Sequence, residues 1–566
     1  MAQAALVRAK PARPTSRSPG AAPRVCGSPM APVEVYNWDD LANVKLEGEE
    51  EEVALSPMEK LYFTGSMLEK YEPAVDALQK ILDGDGEDEE SWNDFEVHFD
   101  KFMNMTCFSN WNGKKYDLVL YGVSGYTGYL TMQYLKRVAF ERNPEPFTVA
   151  FAGRTRSKVE EMRNRNFGDT KWATTDIITA SYDDVQSMID LARSAYVIVN
   201  VAGPYSLAQG EVLIDACCHV GTHYCDVSGE MPWTLRTLEL HAHAKQGGAL
   251  ISPSAAVAGC WSDLCTYMCA KKAREEYGEE LRWTRGYSTG GGAGAGASGG
   301  TLASRNAMST APDEVRKRMA DPFGLSGFVP DIDRNGMKEV LIEHGTGKVT
   351  NKIRRDDQDA VLSKVGYDND VGVWRAPFVY AYFNTRIVRR SNAMFADLEN
   401  RPYGRALNHQ EFGLLPPEAG DMIMAAQKGG AAPAPAGPSV AGEKEALEAM
   451  GKYYQQGEGP PLEELSDAWT CFMMWAKTPS GKVVRCGMCG NDGYFETARC
   501  AIEWALTMRF DYDSLPHKGG VLNAIVSGQE AYIRRLIGSG LKWKMGSWFE
   551  ASELGPVGFA TPGTKI

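Results

Sequence analysis

The sequence predicts an α/β protein whose first large domain contains a parallel sheet. Candidate strands lie at 116–121, 147–152, 196–201 and 248–252. Helical patterns separate them, among them TGYLTMQYLKRVAF and QGEVLIDACCHVG. Strands that alternate with helices in this way form a doubly wound parallel sheet with helices on both faces.

Length and composition set the outer limits. A chain of 566 residues can bury a large core and is expected to form two or more domains. Its 43% hydrophobic and 23% charged residues are ordinary for a soluble protein. The net charge of −13 argues against nucleic acid as a partner. A membrane-spanning helix needs about 18 consecutive apolar residues, and no stretch of the sequence approaches that length. We therefore expect a soluble protein or one in peripheral contact with a membrane.

The first 33 residues have the composition of a transit peptide. They carry five Arg or Lys residues and no acidic residue before Glu34, and Ala, Ser and Pro supply most of the rest. Their prolines would break the amphipathic helix that mitochondrial import favours. We therefore expect a plastid address, with the mitochondrion, a lipid droplet or the cytoplasm as alternatives. A plain disordered tail also stays open.

Residues 34–113 read as an acidic helical extension. Acidic runs at 49–52 and 83–90 flank a segment in which apolar residues recur at helical spacing. Ser56 and Glu59 form a capping box at the start of that segment. The extension is expected to be a solvated cap or a docking surface.

After the parallel-sheet domain, assigned to residues 114–262, the pattern changes. Residues 263–490 combine helices, strands and a hairpin that turns at 479–481, which predicts an α+β domain for substrate binding or dimerisation. A Pro/Ala/Gly-rich insertion at 425–461 is expected to be mobile. Residues 491–566 are expected to form C-terminal helices and a tail.

The 12 cysteines show no disulfide spacing. Cys486 and Cys489 form C-x-x-C without a second ligand pair nearby, whereas structural zinc needs four ligands. We expect reduced strand residues in a reducing compartment. His241 and His243 lie two residues apart on a helical pattern and so face apart, and no metal site is predicted.

The clearest motif is LVLYGVSGYTGYL at 118–130, where Gly122, Gly125 and Gly128 follow an apolar strand. Glycines in a Rossmann turn permit the tight bend, the approach of a pyrophosphate and close helix–strand packing. The spacing here is G-x-x-G-x-x-G rather than G-x-G-x-x-G, so a plain strand-to-helix turn is the alternative. The strand before the motif and the helix after it favour a dinucleotide.

The second strand ends in FAGRTRSK, which offers Arg154, Arg156 and Lys158 and no carboxylate. NAD sites place an acidic residue here for the ribose hydroxyls, whereas a 2′-phosphate attracts arginine. We therefore predict NADP(H) with Arg154 as a contact. The alternative is a basic surface loop.

Two further loops reach the same edge of the sheet. The candidate strand at 196–201 ends in IVNVAGPYS, and the next loop reads THYCDVSGE. Ligands lie outside the carboxyl ends of such strands. The residues expected near the nicotinamide half are Asn200, Gly203, Pro204, Tyr205, His223, Tyr224, Asp226 and Glu230. Ordinary turn chemistry is the alternative for all of them.

The run from GVSGYTG through AGRTRSK, GPYSLAQGE, DVSGE and SGGTLASRNAM to WRAPFVYAYFNTRIVRRSN resembles the saccharopine dehydrogenase-like oxidoreductases. Their bacterial relatives include trans-acting enoyl reductases of glycolipid synthesis. The resemblance covers residues 114–410 well. It implies a second α+β domain whose sheet faces the cofactor cleft, and an NADP-linked activity. The cofactor contacts that it implies are Gly122, Ser124, Gly125, Tyr126, Thr127, Arg154 and Gly203.

One segment departs from the family pattern. Relatives carry Asp-Ser-x-Pro-Ser-Asp where residues 258–263 read AGCWSD. The second half of the pattern is kept and the first Asp-Ser pair is lost. Because the pair is absent, any polar role that Asp-Ser has in the relatives is in question for this chain, and so is its catalytic activity.

The leading hypothesis is a reductase that transfers hydride to a carbonyl, imine or enoyl group between the two domains, in a small or lipid-like substrate. A homodimer is one expectation. The candidate proton donors are Tyr205, Tyr224 and Asp226. Arg386, Arg389 and Arg390 in NTRIVRR are candidate substrate anchors because guanidinium groups bind carboxylates and phosphates, or they form a solvated helix face.

Two alternatives remain. Ser254, Tyr267 and Lys271 have the spacing of the proton relay of short-chain dehydrogenases, although the roughly 300 residues that follow do not fit that family. The third hypothesis is a scaffold or lipid-surface component that keeps a Rossmann fold without catalysis.

Overall fold

The computed structural model of the chain describes residues 113–140, 146–292, 297–326, 341–342, 349–350, 365–428 and 443–556. The predicted leader and all but the last residue of the predicted acidic extension lie outside these ranges. Both stay predictions.

The first sheet has seven parallel strands, as a Rossmann fold requires. They are β1 (Tyr116–Tyr121), β2 (Val149–Gly153), β3 (Ile177–Thr179), β4 (Ala195–Asn200), β5 (His223–Asp226), β6 (Leu250–Ser252) and, numbered in chain order, β15 (Gly520–Val521). The order is β15-β6-β5-β4-β1-β2-β3. The predicted parallel sheet is confirmed, and the chain reverses its direction of winding between β1 and β4, where such sheets bind ligands.

Apolar runs explain the central strands. Leu118, Val119 and Leu120 of β1 are at most 1% exposed, because parallel strands are covered on both faces. The connecting helices are α1 (Tyr126–Tyr134, continued by a π-turn at Leu135–Ala139), α2 (Arg156–Phe167), α3 (Val185–Ser194), α4 (Glu211–Val220), α5 (Met231–Glu239) and α6 (His241–Gln246).

The second sheet is mixed and belongs mainly to the α+β domain. Its strands are β7 (Trp283–Gly291), β10 (Gly366–Asp368), β11 (Val373–Ala376), β12 (Asn408–Leu415), β13 (Trp469–Lys477), β14 (Val483–Asn491) and β16 (Lys542–Met545), in the order β10-β11-β12-β7-β13-β14-β16. Short strands β8 (Leu341–Ile342) and β9 (Val349–Thr350) pair separately. The predicted hairpin joins β13 to β14, with Trp469 opposite Asn491.

The remaining helices complete the described part. They are α7 (Val257–Tyr277), α8 (Gly299–Ser309), α9 (Asp313–Ala320), α10 (Ala381–Glu399), α11 (Pro417–Lys428), α12 (Glu443–Ala449), α13 (Leu462–Leu465), α14 (Gly493–Phe510) and α15 (Ala524–Gly538), with 3₁₀ turns at Tyr205–Leu207, Tyr512–Ser514 and Ala551–Glu553. Among these described helices, none is long and apolar enough to cross a membrane.

The main core lies between the two sheets. Helix α14 covers the first sheet, where the Cys225 thiol of β5 donates to the Ala501 carbonyl. Helix α7 covers the second sheet, where the sulfurs of Cys269 and Cys486 lie 3.4 Å apart. Cys486 and Cys489 are buried residues of β14, as the sequence predicted.

The C-terminal segment contains strands as well as the helices that the sequence predicts. Beyond helices α14 and α15, it contributes β15 to the edge of the first sheet and β16 to the edge of the second. The segment therefore takes part in both sheets. Of the predicted insertion, residues 429–442 lie outside the described ranges, and the part that follows α12 reaches the cleft described below.

Candidate active site

A cavity of about 450 Å³ lies between the carboxyl ends of the first sheet and the second sheet. The first domain contributes residues 125–127, 203, 205, 227–230 and 256–258 to its wall. From the second sheet, Ser288 of β7 and Thr470 and Phe472 of β13 line it. A sheet thus faces the cleft at the end where a Rossmann fold binds its dinucleotide, as the resemblance implies.

The three glycines of GVSGYTG have different surroundings. Gly122 has a φ of +95°, and a Cβ on it would lie 2.6 Å from the Ala202 nitrogen. A Cβ on Gly128 would lie 2.5 Å from the Cα of Val123. On Gly125 it would meet only the Gly122 carbonyl oxygen, at 3.6 Å. Two glycines are therefore required for packing, and the middle one leaves space in front of the turn.

The start of α1 fits a pyrophosphate. Gly125 is its N-cap residue and supplies no side-chain acceptor, so no side chain caps the first amides of the helix. Tyr126 and Thr127, the first two helical residues, line the cavity. Unfilled amides at the positive end of a helix dipole bind phosphate groups. Ser124 lies exposed at the tip of the same turn.

The end of β2 presents Arg154 on the surface. The Arg154 charge acts on the Tyr121 hydroxyl and opposes burial, which is the larger effect and raises the pKa of Tyr121 to about 12. Arg156, by contrast, is held by Glu160 at 2.9 Å and by the Ile177 carbonyl at 3.3 Å. Arg154 is therefore the better placed of these two arginines for a 2′-phosphate.

The turn after β4 reaches the cavity through Gly203 and Tyr205. Pro204 between them is buried. The Tyr205 hydroxyl donates to the Asn200 carbonyl at 2.8 Å, so it is directed into the protein. The Asn200 side chain is also internal, because its oxygen accepts the Ala202 amide at 3.0 Å. Asn200 shapes the turn and does not line the cavity.

The proton donors expected in the next loop need a correction. Tyr224 and Asp226 are fully buried and do not line the cavity. The Tyr224 hydroxyl donates to Asp226 Oδ2 at 3.0 Å, and the Trp233 indole donates to the same oxygen at 2.7 Å. Asp226 Oδ1 accepts the Ser254 amide at 2.8 Å. Burial raises the pKa of Asp226 to about 6, and the group serves as a hydrogen-bond centre beneath the site.

The predicted arginine anchors also need a correction. Arg386, Arg389 and Arg390 are at most 3% exposed, and none lines the cavity. Arg390 donates to the Asn523 side chain at 3.0 Å and to the Val521 carbonyl at 2.7 Å. Burial lowers its pKa to about 10. Arg386 and Arg389 donate to backbone carbonyls in the same interior, so the NTRIVRR run is structural.

The departure at 258–263 has a clear local structure. Gly259 has a φ of +88°, which kinks the start of α7, and its amide donates to the Asn384 side chain at 2.7 Å. Ala258 and Asn384 line the cavity. The retained Ser262 donates to Glu411 of β12, and the retained Asp263 accepts the Tyr403 hydroxyl at 2.8 Å. These two polar residues point away from the cleft into the core.

The alternative Ser-Tyr-Lys relay is not assembled. The Tyr267 hydroxyl donates to Glu530 at 2.9 Å, and Lys271 pairs with the same carboxylate at 2.5 Å. Ser254, Tyr267 and Lys271 do not line the cavity. The sequence match to short-chain dehydrogenases is a coincidence of spacing.

No metal centre appears in the described ranges, where no group of three or more His, Cys, Asp or Glu side chains is arranged to hold an ion. His243 contacts Asp215 at 2.8 Å, and His241 accepts the Val521 amide at 3.2 Å. The two histidines therefore have separate partners.

The sequence did not predict the aromatic side of the cleft. Phe378, Tyr380 and Tyr382, at the start of α10, form an aromatic wall with Tyr494 of α14. Trp261 and Phe472 add further aromatic surface. The signal was present as the run FVYAYF just before the helical pattern of α10, and it contributed only to the family resemblance.

Comparisons with known proteins agree with this geometry. Residues 118–251 match the family model described as the saccharopine dehydrogenase NADP binding domain. A trans-acting enoyl reductase of Mycobacterium tuberculosis is 28% identical over 453 residues, which cover 76% of this chain and 97% of the relative. Its counterpart from Mycobacterium leprae is 27% identical over the same length and coverage.

Among solved structures, apo saccharopine dehydrogenase from Saccharomyces cerevisiae is 12% identical and has a TM-score of 0.39, covering 76% of this chain and 99% of the yeast protein. The family match includes the glycine turn, Arg154 and the turn after β4. The resemblance predicted from the sequence is confirmed: residues 118–251 match the saccharopine dehydrogenase NADP binding domain, and the chain is an NAD(P)-dependent oxidoreductase similar to the trans-acting enoyl reductases.

Proposed function

We propose that the protein uses NADPH to reduce an enoyl, carbonyl or imine group in an apolar, lipid-like substrate. The observation that carries the proposal is the continuity of the cavity. It runs from the uncapped start of α1 at Tyr126, past Gly203, to the aromatic wall around Tyr380. A dinucleotide and an apolar acceptor can therefore share one enclosed space.

The chemistry of the wall favours an apolar substrate. Trp261, Phe378 and Phe472 supply aromatic surface, and Arg305 is the only cationic side chain among the described lining residues. The three buried arginines of α10 are bonded within the protein. An acceptor with several carboxylates would find few partners here, whereas an acyl chain would bury its surface on the rings. The trans-acting enoyl reductases named above favour an enoyl group within this class.

The chain's own groups supply binding and a proton. NADPH, when bound, supplies the hydride. The amides of Tyr126 and Thr127 would bind its phosphates, and Gly203 lines the cavity where the nicotinamide half would lie. Tyr382 is the proton donor that we propose: it lines the cavity, and its hydroxyl lies in the cleft, 3.3 Å from the Gly229 carbonyl oxygen.

Cofactor titration tests the first half of the proposal. The wild-type protein should bind NADPH at micromolar concentration and prefer it to NADH. Arg154→Ala should lower the affinity for NADPH by about tenfold and leave NADH binding unchanged, since a charge-assisted bond to the 2′-phosphate is lost. Bound nicotinamide fluorescence reports both affinities. Equal affinities of the wild type for the two cofactors would contradict the assignment.

An acceptor panel tests the second half. Enoyl thioesters of increasing chain length, aliphatic ketones and α-keto acids are compared by the loss of nicotinamide absorbance. We expect turnover with apolar acceptors and a gain with chain length. Turnover confined to charged amino-acid or keto-acid substrates would refute the substrate class. Binding of NADPH without turnover of any acceptor would favour a scaffold.

A further inference from the structure

We propose that Glu230 is the positioning residue for the nicotinamide half of the cofactor, and that Ser304 connects it to the substrate side of the cleft. The inference rests on the proposed NADPH-dependent function. Glu230 follows the DVSG segment after β5, and the sequence predicts that it lies near the nicotinamide half without assigning it a role. Its contacts show a more specific arrangement.

Glu230 binds the turn after β4 with both carboxylate oxygens. It is 2% exposed and lines the cavity. Its Oε1 accepts the Tyr205 amide at 3.0 Å, and its Oε2 accepts the Ser206 amide at 2.8 Å. The carboxylate therefore fixes the backbone directly after Gly203 and Pro204. Because this turn follows β4, it lies on the nicotinamide side of the switch point.

The same residue is bound from the other domain. The Ser304 hydroxyl of α8 donates to Glu230 Oε1 at 2.8 Å. One residue earlier, the Tyr382 hydroxyl donates to the Gly229 carbonyl at 3.3 Å and lies 3.0 Å from the sulfur of Met308, also on α8. Bonds across the cleft thus end on the two consecutive residues Gly229 and Glu230, and Glu230 also holds the turn. The geometry joins the nicotinamide position to the wall that faces the acceptor.

The donor set explains why a carboxylate is needed. The two amides and the Ser304 hydroxyl all donate, and ionised Glu230 accepts without donating. In Glu230→Gln the side-chain shape is kept, but one oxygen becomes an NH₂ group that faces a donor. The change should therefore shift the turn without leaving a cavity. Arg154 and the adenosine half lie at the opposite end of the site, beyond β1, and should be unaffected.

Binding of two different ligands tests the two halves of the cofactor site independently. NADPH spans the whole site, whereas adenosine 2′,5′-bisphosphate occupies only the adenosine half. Glu230→Gln should weaken NADPH binding by about tenfold, as for the loss of a hydrogen bond to a charged group, and leave the bisphosphate affinity within about twofold. Ser304→Ala should weaken NADPH binding by about threefold, since one neutral donor is lost. Ser309→Ala, an exposed serine on the same helix, is the matched control and should change neither affinity.

The outcomes are distinct. If the wild type binds neither ligand, the proposed function fails and this inference with it. If the wild type binds both and Glu230→Gln binds NADPH normally, only the positioning role is overturned. Equal weakening of both ligands would show general damage and also overturn it. In the double variant, affinity no lower than in Glu230→Gln supports the connection through Ser304, whereas full additivity refutes it.

Discussion

Gly125→Ala distinguishes a dinucleotide cradle from a plain strand-to-helix turn. Gly125 has a φ of −90° and a ψ of 172°, which alanine adopts without strain. The new Cβ would meet only the Gly122 carbonyl oxygen at 3.6 Å, an ordinary contact. The variant should therefore fold as the wild type does. Its methyl group would occupy the space in front of the amides of Tyr126 and Thr127.

The expected loss can be worked from these contacts. A pyrophosphate held off by a methyl group loses one charge-assisted hydrogen bond to the helix start, worth about 1.5–3 kcal/mol. That energy corresponds to an increase of about 10- to 150-fold in the Kd for NADPH. Gly128→Ala is the matched control. Its Cβ would lie 2.5 Å from the backbone of Val123, so it should destabilise the protein by about 1–3 kcal/mol through overpacking.

The assay pairs NADPH titration with thermal unfolding of both variants. The predicted pattern is an unchanged Tm with weak binding for Gly125→Ala, and a lowered Tm for Gly128→Ala. Wild-type affinity in Gly125→Ala would refute the reasoning, because the space in front of the turn would then not be used by the cofactor.

Two further predictions concern buried basic side chains. Burial lowers the pKa of His223 to about 3, and its Nδ1 accepts the Leu250 amide at 3.1 Å, so the folded state keeps it neutral. The unfolded chain takes up this proton below about pH 6.5, so His223 should cost about 2 kcal/mol of stability between pH 6.5 and about 5. His223→Gln should show a smaller fall in Tm over that range; an equal fall contradicts the assignment. Arg390→Gln should lower stability by about 3 kcal/mol through its lost bonds to Asn523 and Val521 and leave NADPH affinity unchanged. Weaker binding at unchanged Tm would restore a ligand role.

The strands that the sequence predicted share one property, a continuous apolar run. β1 and β4 were found within a residue of their bounds because burial on both faces leaves that signal. The sequence predicts a loop where the structure has β5, because this strand has only four residues and begins and ends with the polar residues His223 and Asp226. Both polar side chains are buried through partners on other segments, at Leu250 and Ser254. The pattern of apolar and polar residues along a strand does not indicate partners that come from distant segments.

The arginine run of α10 is a second case in which partners from distant segments decide the role of a side chain. Guanidinium groups at 386, 389 and 390 suit an anion site by type, and the sequence alone favours that hypothesis or a solvated face. The structure makes them internal because acceptors arrive from far along the chain. Asn523 lies 133 residues from Arg390. The glycine turn between β1 and α1 was easier to predict, since its local geometry requires glycine at fixed positions of the sequence.

The altered segment at 258–263 bears on function through polarity. Gly259 occupies a left-handed conformation that a serine there would strain, and its amide is bound by Asn384. Ala258 places a methyl-bearing residue on the cavity wall, where the resemblance to the family leads one to expect a polar pair, while Asp263 remains bonded inside the core. The methyl group is compatible with the apolar acceptor proposed above. Because the bonds of Asp263 behind the wall are intact, the absence of the Asp-Ser pair is not by itself an argument for lost catalysis.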